Sequence, residues 1–208
     1  MGGIKGPLPA KLIVGVLSAR TDMLARATTE LSALFGPVDF ASALLPFTHT
    51  DFYNAELGTP ILRQFLSFER LFDQGALSHT KHQTNALELS LAEGGSGKSW
   101  RLCSDCGLSS ERTVNLDPGY VTGAKLVLAS TKDHGHRVYI GDGIYAEVTL
   151  RYHKGCFQPW PWTYPDYASP ECLRIFEGIR RIYMPQLRTH QQSPSGATVP
   201  APARKQSG

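Results

Sequence analysis

Residues 112–152 read RTVNLDPGYVTGAKLVLASTKDHGHRVYIGDGIYAEVTLRY, and the fold class turns on this stretch. Two β-ribbons can be read in it. The first predicts a strand over 112–117, a turn at Pro118-Gly119 and a return strand over 123–130. The second predicts a strand over 136–140, a turn at Gly141-Asp142-Gly143 and a strand over 144–152. Apolar and polar residues alternate, as in strands with one buried face. In the last strand Ile144, Ala146, Val148 and Leu150 are expected on one face. Tyr145, Glu147, Thr149 and Arg151 fall on the other, because successive side chains alternate across the pleat. Thr113, Asn115 and Asp117 likewise share a face. The expected sheet has an apolar back and a front of acid, amide, hydroxyl and guanidinium groups.

Upstream, 11–18 (KLIVGVLS) is a short apolar run rich in β-branched residues, which predicts a buried strand. Thr21 or Asp22 can cap a helix reaching about Leu34, and Gly36-Pro37 ends it. Residues 38–47 predict a second strand. This β-α-β opening predicts parallel pairing of the two strands through a right-handed crossover. Thr59-Pro60 reads as the cap and first residue of a helix to about Asp73, with Ile61, Leu62, Phe65, Leu66, Phe68, Leu71 and Phe72 as a broad core face. A further helix runs from Ser78 to about Ala92. On it Lys81, Thr84, Asn85 and Glu88 form one polar stripe. Such a stripe is ordinarily a solvated face; turned inward, it would border a site. Residues 94–110 read as an insertion or loop. The last helix starts near Ser169-Pro170-Glu171 and ends near Leu187. The prediction is a single α+β domain over 11–187. It has a mixed, largely antiparallel sheet of about six strands, a β-α-β opening and packed helices. A Gly/Pro-rich leader (1–10) and a Pro/Ser/Gln-rich tail (188–208) flank it.

Composition limits the function classes. The chain has 208 residues, 41% hydrophobic and 19% charged, which excludes a wholly disordered protein. A net charge of +3, partly carried by the tails, gives no support to nucleic-acid binding. No apolar run approaches the roughly 18–20 residues needed to span a bilayer, and the first eleven residues lack a signal-peptide core. A cytoplasmic location with reduced cysteines and no membrane partner is the expectation. Oligomeric state is not legible.

Several motifs could carry chemistry. AEGGSGKS (92–99) fits a loose phosphate-binding loop, in which Lys98 would reach phosphates and Ser99 would hold magnesium. Such a loop needs a strand before it and a helix after it; here a helix precedes and no helical signal follows, so a chance Gly/Ser loop is the better reading. Cys103 and Cys106 form half of a zinc site without a second pair, which disfavours zinc and leaves a surface dithiol loop. His134 and His136 flank a glycine before a strand, as exposed turn residues or as ligands. Asp117 and Asp142 can be explained as turn residues. Glu147 cannot: it lies mid-strand among apolar residues, so it is either solvated or paired in a pocket.

The runs NLDPGY (115–120), HRVYIGDGIYAEVTL (136–150) and WTYPDY (162–167), with DFYNAELG (51–58) and KHQTNALE (81–88) upstream, resemble the bacterial domain-of-unknown-function family numbered 4416. The resemblance covers about residues 11–184. It implies no established activity, and residues 94–110 depart from the family pattern.

Two functions follow as expectations. One is an enzyme acting on a phosphorylated or nucleotide-like small molecule, with Mg²⁺ as its cofactor. Asp51, Glu56, Glu88 and Glu147 would be its catalytic or metal-binding carboxylates. Lys81, Asn115, Asp117, Lys132, His136, Arg137 and Arg151 would bind phosphate or ligand. The alternative is a non-catalytic ligand-binding or adaptor module. Glu147 is expected to share a pocket with Lys81 or Glu88 and with Asp51 or Glu56. The segment 158–170, stiffened by Pro159, Pro161 and Pro165, is expected either to close over the front of the sheet or to pack its aromatic rings into the core.

Overall fold

β1 (Ala10–Ser18) is buried along its whole length, as the apolar run of residues 12–17 demands. We describe the protein from a computed structural model, which describes residues 3, 5–50, 53–93 and 112–192. After β1 come α1 (Thr21–Phe35), β2 (Val38–Ala41), β3 (Leu45–Pro46) and the short α2 (Asn54–Leu57). Then follow β4 (Leu62–Phe72), α3 (Leu77–Glu93), β5 (Asn115–Val121) and β6 (Lys125–Ser130). β7 (Val138–Gly141), β8 (Ile144–His153), β9 (Cys156–Pro159) and α4 (Pro170–Gln192) complete the chain. The result is a single α+β domain.

The nine strands form one sheet, ordered β2-β4-β1-β5-β6-β8-β7, with β3 beside β4 and β9 beside β8. Every pairing among the described residues is antiparallel. β1 and β2 do run parallel, because each is antiparallel to β4. They do not touch, since β4 lies between them. The β-α-β opening is therefore split. With β4, α3 and β5 it makes the βαββαβ connectivity of a ferredoxin-like unit. β6 to β9 extend that unit past β5.

Five expectations on the elements are corrected. The predicted helix from Thr59 to Asp73 is the central strand β4. The sheet is covered on both faces around it, so β4 carries apolar groups on both sides: Leu66 and Phe68 join the α1 cluster, while Phe65 joins the α4 cluster. The predicted strand over 38–47 is two short strands, each paired with β4. Pro118-Gly119 is no turn; β5 runs straight through it, and the turn to β6 comes at residues 122–124. α1 has Arg20 at its N-cap and no side-chain cap, and α4 continues to Gln192, past the predicted end at Leu187.

α1 and α3 cover one face and α4 the other. The first face buries Leu12, Val14 and Val16 of β1 against Met23, Leu24, Ala27 and Leu31 of α1. The second buries Ile13, Val121, Leu126 and Leu128 beneath Cys172, Phe176 and Ile179 of α4. Lys11 is fully buried on this second face, where it pairs with Asp39 and donates to Gln186 at 2.8 Å. No helix of the described residues is long and apolar enough to cross a membrane.

Candidate functional site

The sheet forks between β5 and β6. Their pairing covers only Gly119–Val121 against Leu126–Leu128, although β5 begins at Asn115 and β6 runs on to Ser130. Proline supplies the local reason. Residues two apart on a strand direct their backbone groups to the same side. Tyr120 faces Val127 of β6, so Pro118 would have to donate on that side, and it has no N–H. Beyond it, Leu116 also faces the missing partner, and side chains of α3 take the strand's place. Leu116 N–H donates to Glu88 Oε1 at 2.6 Å, and Lys81 Nζ donates to the Leu116 carbonyl at 2.9 Å.

This explains the polar stripe on α3. The solvated reading is overturned, since Lys81, Thr84 and Glu88 are buried. They are buried because a strand edge without a partner strand needs a donor and an acceptor. Arg112 ties the same bank together, donating to Glu88 Oε2 at 3.1 Å and to Glu56 Oε2 at 2.6 Å. Burial raises the Glu88 pKa, partly offset by Lys81, the Leu116 N–H and Arg112. Burial opposes the charge on Arg112, but Glu88 and Glu56 outweigh it and leave its pKa raised. On the α4 face, Asn115 donates its amide to Asp117 Oδ2 at 2.7 Å, while Lys81 Nζ stays 3.7 Å from Asp117 Oδ1. The Asp117 carboxylate is half-open to solvent.

The opposite bank is β8. Glu147 is buried there, and its carboxylate is satisfied by near neighbours. Oε2 accepts from Arg137 Nε at 2.9 Å and lies 3.1 Å from His136 Nε2; Oε1 accepts from the Thr149 hydroxyl at 3.0 Å. Arg137 also donates to Ser130 Oγ at 2.7 Å, to the Lys132 carbonyl at 3.0 Å and to Tyr164 Oη at 3.3 Å. A bulge shapes this bank. Leu126 pairs with Leu150 and Val127 with Val148, leaving Thr149 without an opposite residue. The simple alternation over 144–152 therefore fails. Ile144, Ala146 and Val148 pack on the α3 side, and Leu150 packs with Leu126 and Leu128 on the α4 side.

The proline-rich segment lies along β8. Trp162 Nε1 donates to the Val148 carbonyl at 3.1 Å, and Thr163 Oγ1 to the Thr149 carbonyl at 2.6 Å. Trp162 stacks on His136 at 5.9 Å and on Trp160 at 5.1 Å, and Arg151 caps Trp160 at 4.5 Å. Tyr167 goes into the core, stacked on Phe176 at 5.8 Å. Its hydroxyl is buried without a hydrogen-bond partner. It stands over Gly15, where a Cβ would lie 3.4 Å from it, and Gly15 is the cross-strand partner of Asp117.

The two banks thus meet electrostatically at one phenol. Burial raises the Tyr167 pKa most, Arg63 opposes, and Asp117 and Glu147 both raise it further. Tyr53 is pushed up to about 12, mainly by burial and then by Asp117. Tyr120 and Tyr183 are raised by burial as well. Each raised phenol holds its proton more tightly folded than unfolded. Its contribution is complete below the unfolded value near 10 and lost as pH rises above it. Native absorbance titration should leave the Tyr53 and Tyr167 phenols largely un-ionised at about pH 11. Tyr167→Phe should make the alkaline fall in stability shallower by about 1.4 kcal/mol per pH unit; an unchanged slope would refute the burial.

The sequence-predicted residues thus divide into two networks. Glu56, Glu88, Lys81, Asn115 and Asp117 lie on the β5–α3 bank, and Glu147, His136 and Arg137 on the β8 bank. The single pocket in which Glu147 bonds Lys81, Glu88 or Glu56 is replaced by two banks, because Glu147 finds its partners on β8 and in the loop before β7. Lys132 contributes its backbone carbonyl to Arg137, and Arg151 belongs to the indole stack. Asp51, Gly94–Ser99 of the glycine-rich run, and Cys103 with Cys106 lie outside the described residues. Among the described residues, no three His, Cys, Asp or Glu side chains form a group that could hold a metal ion. Sequence reading missed Arg112, Ser130 and the Tyr167 hydroxyl. It also missed Arg63, although a charge inside the apolar run of β4 was a signal.

The family described as Domain of unknown function (DUF4416) matches residues 8–183, and the chain belongs to it. No curated protein and no solved structure matches the chain.

Proposed function

We propose that this member of the DUF4416 family binds a small polar molecule in the wedge where β5 and β6 part, as a ligand-binding module. The observation that carries the reading is the Tyr167 hydroxyl, buried and unpartnered over Gly15, the cross-strand partner of Asp117. A buried hydroxyl without a partner costs about 1–3 kcal/mol, and a ligand atom would remove that cost. The half-open Asp117 carboxylate offers an acceptor, so the ligand presents amine or hydroxyl donors. An enzyme acting on a phosphorylated or nucleotide-like molecule with Mg²⁺ would need cations to spare. Arg137 and Arg112 instead give their donors to Glu147, Glu88 and Glu56, which favours the binding reading.

The test is a thermal-shift screen of amines, polyols, nucleotides, sugar phosphates and divalent metals, because a ligand of the native state alone stabilises it by about 2.7 kcal/mol at a hundredfold excess over Kd. Tyr167→Phe should leave the protein as stable as before, or up to about 1 kcal/mol more stable. It should weaken the screen's ligand at least about tenfold. Asp117→Asn should weaken an amine ligand similarly without unfolding the chain. A ligand that shifts wild type and Tyr167→Phe equally would refute the reading.

A further inference from the structure

The α4 face holds a second polar feature that the wedge does not use. It is a cavity of about 100 Å³ whose walls include Arg63, Asp166, Glu171, His49 and Ser169, with Leu45 and Phe47 as apolar lining. Tyr167, Asp117 and Glu147 are not among its walls. Arg63 is only 5% exposed. Its guanidinium lies 4.5 Å from the centre of the Phe47 ring and 5.0 Å from that of Tyr167, and it pairs with Asp166. Its Nε has no hydrogen-bond partner. The same cavity receives the N-terminus of α4. There the Ser169 hydroxyl accepts from the Cys172 N–H at 3.2 Å, and Pro170 opens a helix of 23 residues.

The charge inventory selects the ligand class. A helix N-terminus carries positive partial charge and free N–H groups, and Arg63 adds a full positive charge. Against them stand two carboxylates, Asp166 and Glu171. A bare anion would meet both carboxylates, and a bare cation would meet the guanidinium and the helix end. A zwitterion satisfies both sets at once. The volume is room for several waters, at about 10–15 Å³ each, which suits a small α-amino acid and is too small for a nucleotide. We infer that this cavity binds a small amino acid or a similar zwitterion. Its carboxylate lies against Arg63 and the start of α4, and its ammonium against Asp166 and Glu171.

The experiment titrates the full chain with glycine, L-alanine and L-serine, using melting temperature and calorimetry. Acetate and methylammonium serve as half-ligands. The expected result is a saturable upward shift with the amino acids and none with either half at equal concentration. Glu171→Gln, a change at an exposed residue, should weaken binding about tenfold, the worth of one charge-assisted contact. Arg63→Lys keeps the charge but loses the planar fork and should weaken it by a similar factor, provided circular dichroism shows it folded. Tyr167→Phe should bind these probes like wild type, which separates this cavity from the wedge. A shift produced equally by acetate, no shift with any amino acid, or full binding by Glu171→Gln would each overturn the inference.

Discussion

Arg137→Met should destabilise the protein by about 3–5 kcal/mol, the cost of leaving a buried carboxylate without its cation. Both side chains of the pair are almost wholly removed from water, at 4% and 2% exposure. After the change, Glu147 would keep only the Thr149 hydroxyl and His136. Ser130 and Tyr164 would also lose a donor. Urea melts of Arg137→Met, Glu147→Gln and the double variant form a thermodynamic cycle. The double variant should be more stable than the summed single effects predict, by about 1–3 kcal/mol, because each single change strands the other group. A loss under about 1 kcal/mol for Arg137→Met would mean that the β8 bank is wet and not a buried pair.

Much of this bank was legible. A carboxylate mid-strand between apolar neighbours must be solvated or paired, and period-2 alternation placed it opposite Ile144, Ala146 and Val148. The expectation that it would face Lys81 or Glu88 of α3 was wrong, because those groups serve the open edge of β5. Its cation was harder to assign. Arg137 precedes β7 in a loop, so its position depends on how β7 folds back on β8, and no local pattern records that. The bulge at Thr149 was also invisible, because one extra residue leaves no mark in an alternating sequence. On the other bank, the Lys81–Glu88 spacing correctly marked one face of a helix. Which way that face turned depended on β5 lacking a partner beyond Pro118, which is a tertiary fact.

The same distinction explains the fold. β1, α1, α3 and the second ribbon follow from local periodicity and were readable. β4 was not. The segment LRQFLSFERLF has apolar residues at helical spacing, and a strand covered on both faces gives no alternation to contradict it. Arg63 and Ser67 alternate with Phe65 on the α4 face, so their burial depends on Asp166 and Asp39 arriving from elsewhere in the chain. Those partners are 103 and 28 residues away in sequence. Without β4 in the middle, the β-α-β opening could only be read as a directly paired unit.

Gly119→Ala should cost about 3 kcal/mol or more, at the upper end for adding a methyl to a packed interior. Pro-Gly ordinarily signals a turn, and in a turn the glycine would matter through its dihedral angles. Here it matters through space. A Cβ at Gly119 would lie well inside contact distance of the Val127 carbonyl oxygen and 2.7 Å from Leu128 Cδ2. The carbonyl is backbone of the neighbouring strand and cannot swing aside as a side chain can. β5 and β6 share only three residue pairs, and Gly119–Leu128 is the one at the fork. Forcing that pair apart would lengthen the wedge and loosen the hold of the ferredoxin-like half on the β6–β9 extension. Gly123, in the actual turn, is the control: a Cβ there would meet only Met184 Sδ, at 3.6 Å. Gly123→Ala should therefore stay within about 0.5 kcal/mol of wild type. Urea denaturation of the two variants side by side decides the matter. Equal losses at both positions would mean that Gly119 is a turn residue and that β5 and β6 do not approach closely at the fork.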